Sequence, residues 1–340
     1  MKNFLKRFIA LRMTRKRKET RNPITFLERR HYDKNQSDFT DGIYFAGVSN
    51  DDFSFVTRLG FRNGKPNENW LKVFVPGEGV WGFENMDLPV GEFFEQGDLK
   101  YVCQEPGELW KIIYHGPVYQ GKNHYQLKME LDWHSLVPVA DFDNTGTSYE
   151  QLAFQIAKEK WNVDFFKKLK EIHQIHYEQA GNITGTITWK RKKYDVQLTG
   201  VRSHSFGKRN WNDWGRHLWL TGVLDDGQYF NISIIDYDFV KNLKAGFLWD
   251  RKGYCNFEKT PSFGDLKILE PLPKTLSFPL KVKPGDKTIV VNVEMKVFFP
   301  FTMDNVYYIR QAKAVFDFGG IRGTGIAEMG INLKKYNVIL

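Results

Sequence analysis

Residues 176–219 read HYEQAGNITGTITWKRKKYDVQLTGVRSHSFGKRNWNDWGRHLW, and this stretch decides the fold. It sets a Glu178-Gln179 pair, a His204 inside Arg-Ser-His-Ser-Phe-Gly and a run of Trp and Arg between segments that alternate like strands. A strand sends successive side chains to opposite faces of a sheet. The stretch can therefore place several polar groups inside one aromatic-lined cavity, which makes it the first candidate for a working site.

The β pattern extends in both directions. Tyr125, Leu127, Met129 and Leu131 alternate with Gln126, Lys128 and Glu130; Ile289, Val291, Val293, Met295 and Val297 alternate with Val290, Asn292, Glu294 and Lys296. Each reads as a strand with one core face and one wetter face. Turn signals recur at Asn63-Gly64-Lys65-Pro66, Pro76-Gly77-Glu78-Gly79, Asp225-Asp226-Gly227 and Pro284-Gly285-Asp286. Short strands with regular turns predict antiparallel barrels or sandwiches. An aromatic content of 16% suits strands and apolar pockets more than helix bundles. Only 148–175 breaks the pattern. It reads as a helix with Leu152, Ile156, Phe165, Leu169 and Ile172 on its apolar positions, Ser148 as its cap and Gln151 completing a capping box. The expected organisation is an all-β chain: a basic arm over 1–39, a β domain over 40–147, a helical linker over 148–175 and a second β domain over 176–340.

The net charge of +9 is local. Residues 1–30 hold eleven Lys/Arg against two Asp/Glu, and the other 310 residues hold 38 of each sign. A nucleic-acid binder spreads its cations over a face of the fold, so no nucleic-acid partner is expected. In the arm, Phe4, Leu5, Phe8, Ile9 and Leu11 fall near one helix face, with Lys2, Lys6, Arg7 and Arg12 around the other. Three readings stand: a helix lying on an anionic membrane surface through residues 2–18, a mitochondrial presequence, or a helix that packs on its own body or stays disordered. Cys103 and Cys255 set no disulfide framework and fit a reducing, cytoplasmic setting, peripheral at a membrane if the first reading holds. No run of 18 apolar residues is present.

Other motifs are weaker. Gly320-Ile321-Arg322-Gly323-Thr324-Gly325 lacks the ending of a phosphate loop and reads as a bend. Ser203-His204-Ser205 lacks a nucleophile elbow. His173 and His176, with Glu171 and Glu178, have metal-like spacing, but the switch from helix to strand there spoils the geometry, and no metal is expected. His204 is either an acid–base group or a histidine that fixes a barrel corner. Glu178 either orients that imidazole or is a buried carboxylate paired with Arg202 or Arg216. Trp211, Trp214 and Trp219 either wall a ligand site or pack a barrel.

Tyr177-Glu178-Gln179-Ala180-Gly181, Gly200-Val201-Arg202-Ser203-His204-Ser205-Phe206-Gly207 and Arg209-Asn210-Trp211 resemble the lipocalin-like superfamily of carotenoid 1,2-hydratase and AttH-type proteins, with which the fungal lipocalin-like Diels–Alderases also belong. The strand pair from Asn69-Trp70-Leu71 to Phe83 and the closing Gly323-Thr324-Gly325-Ile326-Ala327-Glu328 add to the likeness. The resemblance implies two lipocalin-like barrels and cofactor-free chemistry on polyenes or prenylated rings. The chain departs from that pattern at Ser203, where members carry Asp, and at Phe206, where they carry Trp. The strand from Tyr229 to Ile235 offers Asn231 and Ser233 where the hydratases place an Asp; the nearest acids are Asp236 and Asp238. The expected function is a cofactor-free isomerase, cyclase or pericyclase acting on a hydrophobic polyene or isoprenoid. His204 and Glu178 are its expected catalytic groups, and Arg202, Phe206, Trp211, Trp214, Arg216, Trp219 and Gln179 its substrate contacts. The competing expectation is a non-catalytic carrier or sensor of a hydrophobic ligand.

Overall fold

The computed structural model describes residues 2–15, 22–49, 52–146, 148–266, 273–282 and 287–338. The basic residues at 16–18 and the turn at 284–286 expected above lie outside them. Strand accounts for 58% of the molecule against 14% helix, so the all-β class holds. The chain forms two compact units. One comprises Asn22–Val139 and His176–Lys208; the other comprises Met1–Arg21, Ala140–Ile175 and Arg209–Leu340.

The first unit contains a short helix α2 (Ile24–Leu27; α1 is given below with the other unit) and strands β1 (Phe39–Val48), β2 (Ser54–Arg62), β3 (Glu68–Val75), β4 (Gly79–Glu84), β5 (Phe94–Gln96), β6 (Leu99–Glu105), β7 (Leu109–Gln120), β8 (Asn123–Ser135), β10 (Ile175–Trp189) and β11 (Lys192–Lys208). Their order in the sheet is β4-β3-β2-β1-β11-β10-β8-β7-β6-β5, and a further pairing of Gly82 with Tyr119 bends the sheet back on itself. Alternation decides which side fills the barrel. On β8 the side chains of Leu127, Met129, Leu131 and Trp133 are buried in the core, while Lys128 and Glu130 are exposed. Phe45, Phe55, Tyr101, Trp110 and Trp189 complete a continuous aromatic interior.

The second unit holds α1 (Lys2–Arg15), β9 (Ala140–Asp141), a π-helical turn (Phe142–Gly146), α3 (Tyr149–Lys158), α4 (Val163–Glu171), α5 (Phe263–Leu266) and strands β12 (Trp214–Leu224), β13 (Tyr229–Tyr237), β14 (Leu243–Trp249), β15 (Tyr254–Asn256), β16 (Thr275–Val282), β17 (Lys287–Met303), β18 (Tyr307–Phe318) and β19 (Arg322–Asn332). The eight longer-numbered strands form one antiparallel sheet, β15-β14-β13-β12-β19-β18-β17-β16. Its two edges approach each other where Glu258 N–H donates to the Lys281 carbonyl at 2.9 Å. Leu218, Leu220, Phe230, Ile232, Ala312, Ala314, Phe316 and Ala327 make its apolar core. The predicted alternation on β17 holds from Val291 to Met295, and a register shift before Val297 then moves that residue opposite Lys313 on the other face.

Two expected boundaries change. The second β domain does not begin at 176. β11 pairs with β1 from Phe39↔Lys208 to Val48↔Thr199, and β10 pairs with β8 from Gly181↔Ser135 to Trp189↔Leu127, so both strands complete the first unit. The arm over 1–39 is likewise divided, α1 belonging to one unit and residues 22–38 to the other. The linker helix is two helices. α3 ends at Lys158, and Asn162 starts α4 afresh, its side chain accepting from Phe165 N at 2.7 Å. Ser148 caps α3 as expected, accepting from Gln151 N, but the Gln151 side chain donates to the carbonyls of Phe257 and Glu258 instead of returning to the cap. Replacing Asn162 by Ala is expected to cost about 1 kcal/mol, the usual loss for an N-cap, measured as a lower urea midpoint at unchanged m-value.

Candidate functional site

β11 sends Arg202, His204 and Phe206 to the barrel interior, on the side of Phe45, Ile43 and Asp41 of β1, and sends Ser203 and Ser205 to the opposite face. β10 does the same one residue out of step with the expectation for Glu178: Tyr177 and Gln179 point inward. Arg202 is fully buried, with the rings of Trp110, Trp133 and Tyr177 about it at 5.5, 4.8 and 5.3 Å. Its counter-charge is Glu28, at 2.9 Å from Nη1, and its Nε and Nη2 donate to Gln179 Oε1 at 3.1 and 2.6 Å. Gln179 Nε2 donates onward to the carbonyls of Gly107 and Val137. Glu28 also accepts from the Tyr177 hydroxyl at 2.5 Å and from Trp110 Nε1 at 2.6 Å.

His204 is fully buried. Its Nδ1 donates to the Leu27 carbonyl at 2.9 Å and its Nε2 lies 2.5 Å from Asp41 Oδ1. Both ring nitrogens thus face oxygen atoms, the Leu27 carbonyl on one side and the Asp41 carboxylate on the other. Asp41 Oδ2 accepts from His31 N at 2.8 Å and pairs with Arg30 Nε at 3.3 Å. Phe206 lies beneath the His31 ring, stacked at 3.6 Å. Residues 22–38 thus plug one end of the barrel, and Leu27, Glu28 and His31 are among its contacts with the signature motif.

Electrostatics agree with that role. Burial raises the Glu28 carboxyl, but the Arg202 charge and the hydrogen bonds from Tyr177, Arg202 and Trp110 outweigh it and leave Glu28 below the usual carboxylate range. Burial lowers Arg202, yet Glu28 and Tyr177 hold it above its ordinary value. Glu178 takes no part. It is buried on the other face of β10, where its Oε1 meets His176 Nε2 at 2.9 Å. The expectation that it orients His204 or pairs with Arg202 is corrected by strand parity; Tyr177, one residue earlier, is the side chain that reaches the imidazole, at 3.0 Å from Nδ1.

The remaining expected contacts, Trp211, Trp214, Arg216 and Trp219, lie in the second unit. Arg216 Nε pairs with Asp236 Oδ2 at 2.8 Å, and Asp236 Oδ1 accepts from Asn242 N, so this pair ties down the turn after β13. Trp211 stacks on Tyr307 at 5.2 Å and Trp214 meets the His217 ring edge-on at 5.6 Å. These rings enclose a polar group that no sequence motif marks. On the sheet face away from the apolar core, the Tyr307 hydroxyl donates to His217 Nδ1 at 2.7 Å, and His217 Nε2 donates to Glu328 Oε1 at 2.5 Å. Gln311 Nε2 donates to Glu328 Oε2. Gly330 makes room for it: a Cβ there would stand 2.4 Å from His217 Nδ1 and 2.5 Å from Tyr307 Cε1. Burial and the Glu328 charge raise the Tyr307 phenol well above its ordinary range, so it remains a donor. Glu328 keeps 14% side-chain exposure, and Trp219 sits directly across from it on β12. His217 and Glu328 are 111 residues apart, and only the alternation of β12 and β19 signals that they share a face.

The metal-like spacing dissolves. His173 Nε2 lies 2.9 Å from Asp143 in the second unit, while His176 and Glu178 belong to the first. Among the described residues no three His, Cys, Asp or Glu gather as metal ligands.

A family model described as a domain of unknown function (DUF7064) matches residues 27–333. The chain belongs to this family. Solved structures that share the fold of this DUF7064 chain include two that follow. NE1406 of Nitrosomonas europaea, an AttH candidate, is 12% identical, with 91% of this chain and 96% of that one covered at a TM-score of 0.55. CghA is 6% identical, with 86% of this chain and 88% of that one covered at 0.51. The likeness agrees with the lipocalin-like AttH-type superfamily that the motifs resemble. No curated protein matches the chain.

His31 gives the plug a pH signature. Burial lowers its pKa to about 4, with the charges of His204 and Arg29 acting in the same direction and Asp41 against them. An unfolded histidine titrates near 6.5. Between these values the unfolded chain binds the proton more readily, so stability is full above 6.5 and declines as pH falls towards 4. Glu28, also lowered, adds loss in the same direction below its usual range. Urea midpoints at pH 7 and pH 5 are expected to show this slope in the wild type and a flatter one in His31→Gln; equal slopes would exclude His31 as its source.

Proposed function

We propose that this DUF7064 chain is a cofactor-free enzyme of isomerase or cyclase type, acting on a hydrophobic molecule of polyene or isoprenoid character. The observation that carries the reading is the Tyr307–His217–Glu328 chain. Its tautomer is set from both ends: Nδ1 accepts from Tyr307 and Nε2 donates to Glu328. Glu328 is held by two donors and keeps lone pairs directed elsewhere, beside Trp219. Such a carboxylate can take a proton from one carbon of an apolar ligand and return it to another, as a positioned general base and then acid. His217 and Gln311 position it; Trp211 and Trp214 fix the His217 and Tyr307 rings. The Arg202–His204 network, whose groups bind the residue 22–38 segment, holds the barrel end in this reading.

Native mass spectrometry of freshly purified protein, followed by incubation in D2O, tests the chemistry. The wild type is expected to release a bound apolar molecule carrying deuterium, and Glu328→Gln to slow that incorporation by about a hundredfold or more. A ligand that exchanges unchanged and unlabelled from the wild type would make the protein a carrier.

We also propose that α1 rests on an anionic membrane surface. What supports this is charge and apolar exposure together. Ala10 is buried with Ala153 and Ile156, and Lys6 Nζ donates to the Glu159 carbonyl at 2.8 Å, so α1 is seated on α3. Phe4, Leu5 and Phe8 remain 79%, 61% and 60% exposed. Exposed aromatics beside cations favour the interface of acidic bilayers. Among the described residues no helix is long and apolar enough to cross a membrane. Sedimentation with phosphatidylserine-containing vesicles is expected for the wild type, and to fall at least tenfold in Phe4→Asp/Phe8→Asp; equal sedimentation with purely zwitterionic vesicles would refute the charge component.

A further inference from the structure

Glu328 belongs to a row of side chains that crosses the second unit's sheet on the face away from its apolar core. Strand register places Phe299 of β17 beside Gln311 of β18, Gln311 beside Glu328 of β19, and Glu328 beside Trp219 of β12. Beyond Trp219 the row continues through Ser233 of β13 to Ala245 of β14. Phe299 and Gln311 are buried and close one end. From Glu328 onward the row is partly accessible: Glu328, Trp219, Ser233 and Ala245 each keep some exposed surface.

The neighbouring rows are shut beside it. On one side Ile326, Thr221, Asn231 and Phe247 are buried, and the rings of Phe142, Tyr229 and Tyr254 surround Phe247 at 5.9, 5.4 and 5.0 Å. On the other side Gly330 and His217 are buried next to Glu328 and Trp219. The accessible lane therefore runs from Ala245 over Ser233 and Trp219 to Glu328. Neighbouring strands stand about 4.8 Å apart, so Ser233 lies roughly 10 Å from Glu328, with the Trp219 indole between them as an apolar floor.

Ser233 is polarised in one sense. Its Oγ donates to Asn231 Oδ1 at 2.9 Å, which directs its proton along β13 into the shut row. A hydroxyl has one proton to give and two lone pairs to offer. Towards the lane Ser233 is thus an acceptor. A carbonyl or ether oxygen there would set lone pairs against lone pairs, whereas a hydroxyl would complete the bond. Ala245, the partner of Ser233 on β14, adds only a methyl group at this end.

On the reading of Glu328 as the proton carrier for a hydrophobic ligand, we propose that Ser233 is a specificity residue of that site and that the substrate is an apolar alcohol. Its hydroxyl donates to Ser233 Oγ, its chain lies over Trp219, and the carbon that Glu328 serves lies on the far side of the indole.

Titration calorimetry with farnesol and farnesyl methyl ether tests this. The two share a prenyl chain, but only the alcohol can donate. The wild type is expected to bind farnesol about three- to tenfold more tightly than the ether, the scale of one neutral hydrogen bond. Ser233→Ala should lower farnesol to the affinity of the ether and leave the ether unchanged, a split that a merely structural serine would not produce. The wild-type ratio stands even if the variant does not fold by circular dichroism. Equal affinities in the wild type, or a preference for farnesol that survives in Ser233→Ala, would overturn the alcohol assignment and leave the hydrophobic-ligand reading intact. A wild type that binds neither probe would overturn both. Deuterium incorporation through Glu328 is measured separately, so failure of the proposed chemistry is told apart from either.

Discussion

A guanidinium enclosed by three aromatic rings imposes a demand that the rest of the first unit meets. Arg202 cannot be left without a counter-charge, since an unpaired ion in an apolar interior is among the costliest defects a fold can carry. The barrel strands supply the neutral acceptor, Gln179, but the carboxylate comes from Glu28, outside the sheet. The demand therefore recruits a segment of irregular chain into the barrel end and holds it there with Tyr177 and Trp110. His204 repeats the logic one step outward along β11, using the Leu27 carbonyl and Asp41. The signature motif is, on this geometry, first a device for binding the chain to itself.

The two polar clusters differ in how completely they are used. Around Arg202 and His204 the partners are backbone carbonyls and buried carboxylates of the same unit. Around His217 the chain of donors ends on a carboxylate that retains access. A fully occupied network specifies a structure; one with an open end has capacity to act on something else.

The fold was legible because alternation in β7, β8, β17 and β18 is long and regular. Membership of the sheets was not, because β10 and β11 look equally like the end of one β domain or the start of the next, and only long-range pairing with β1 and β8 assigns them. The site was legible in part. Arg202, His204, Gln179 and Phe206 do converge, but Glu178 falls on the wrong side of its strand, an error of one residue that period-two structure does not forgive. Glu28 and Asp41 went unnoticed because a single acid, after a short helix or on a strand, carries no local pattern; the role of Tyr177 was hidden because it depends on strand parity, and His217, Gln311 and Glu328 were missed because their meeting depends on the registry of β12, β19 and β18.

Threading the plug from one end of the chain to a motif far along it also has a cost in time. The Leu27 carbonyl and the His204 imidazole that closes on it are 177 residues apart. At a synthesis rate of about 5–20 residues per second, roughly 9–35 s separate the emergence of the two partners. Late in that interval β1 to β8 exist without β11, and the edge of β1 that β11 later covers stands open while its other edge pairs with β2. An exposed edge strand invites pairing with other chains. The same charge that seals the finished barrel thus leaves the nascent one dependent on whatever shields its edge until the second half arrives.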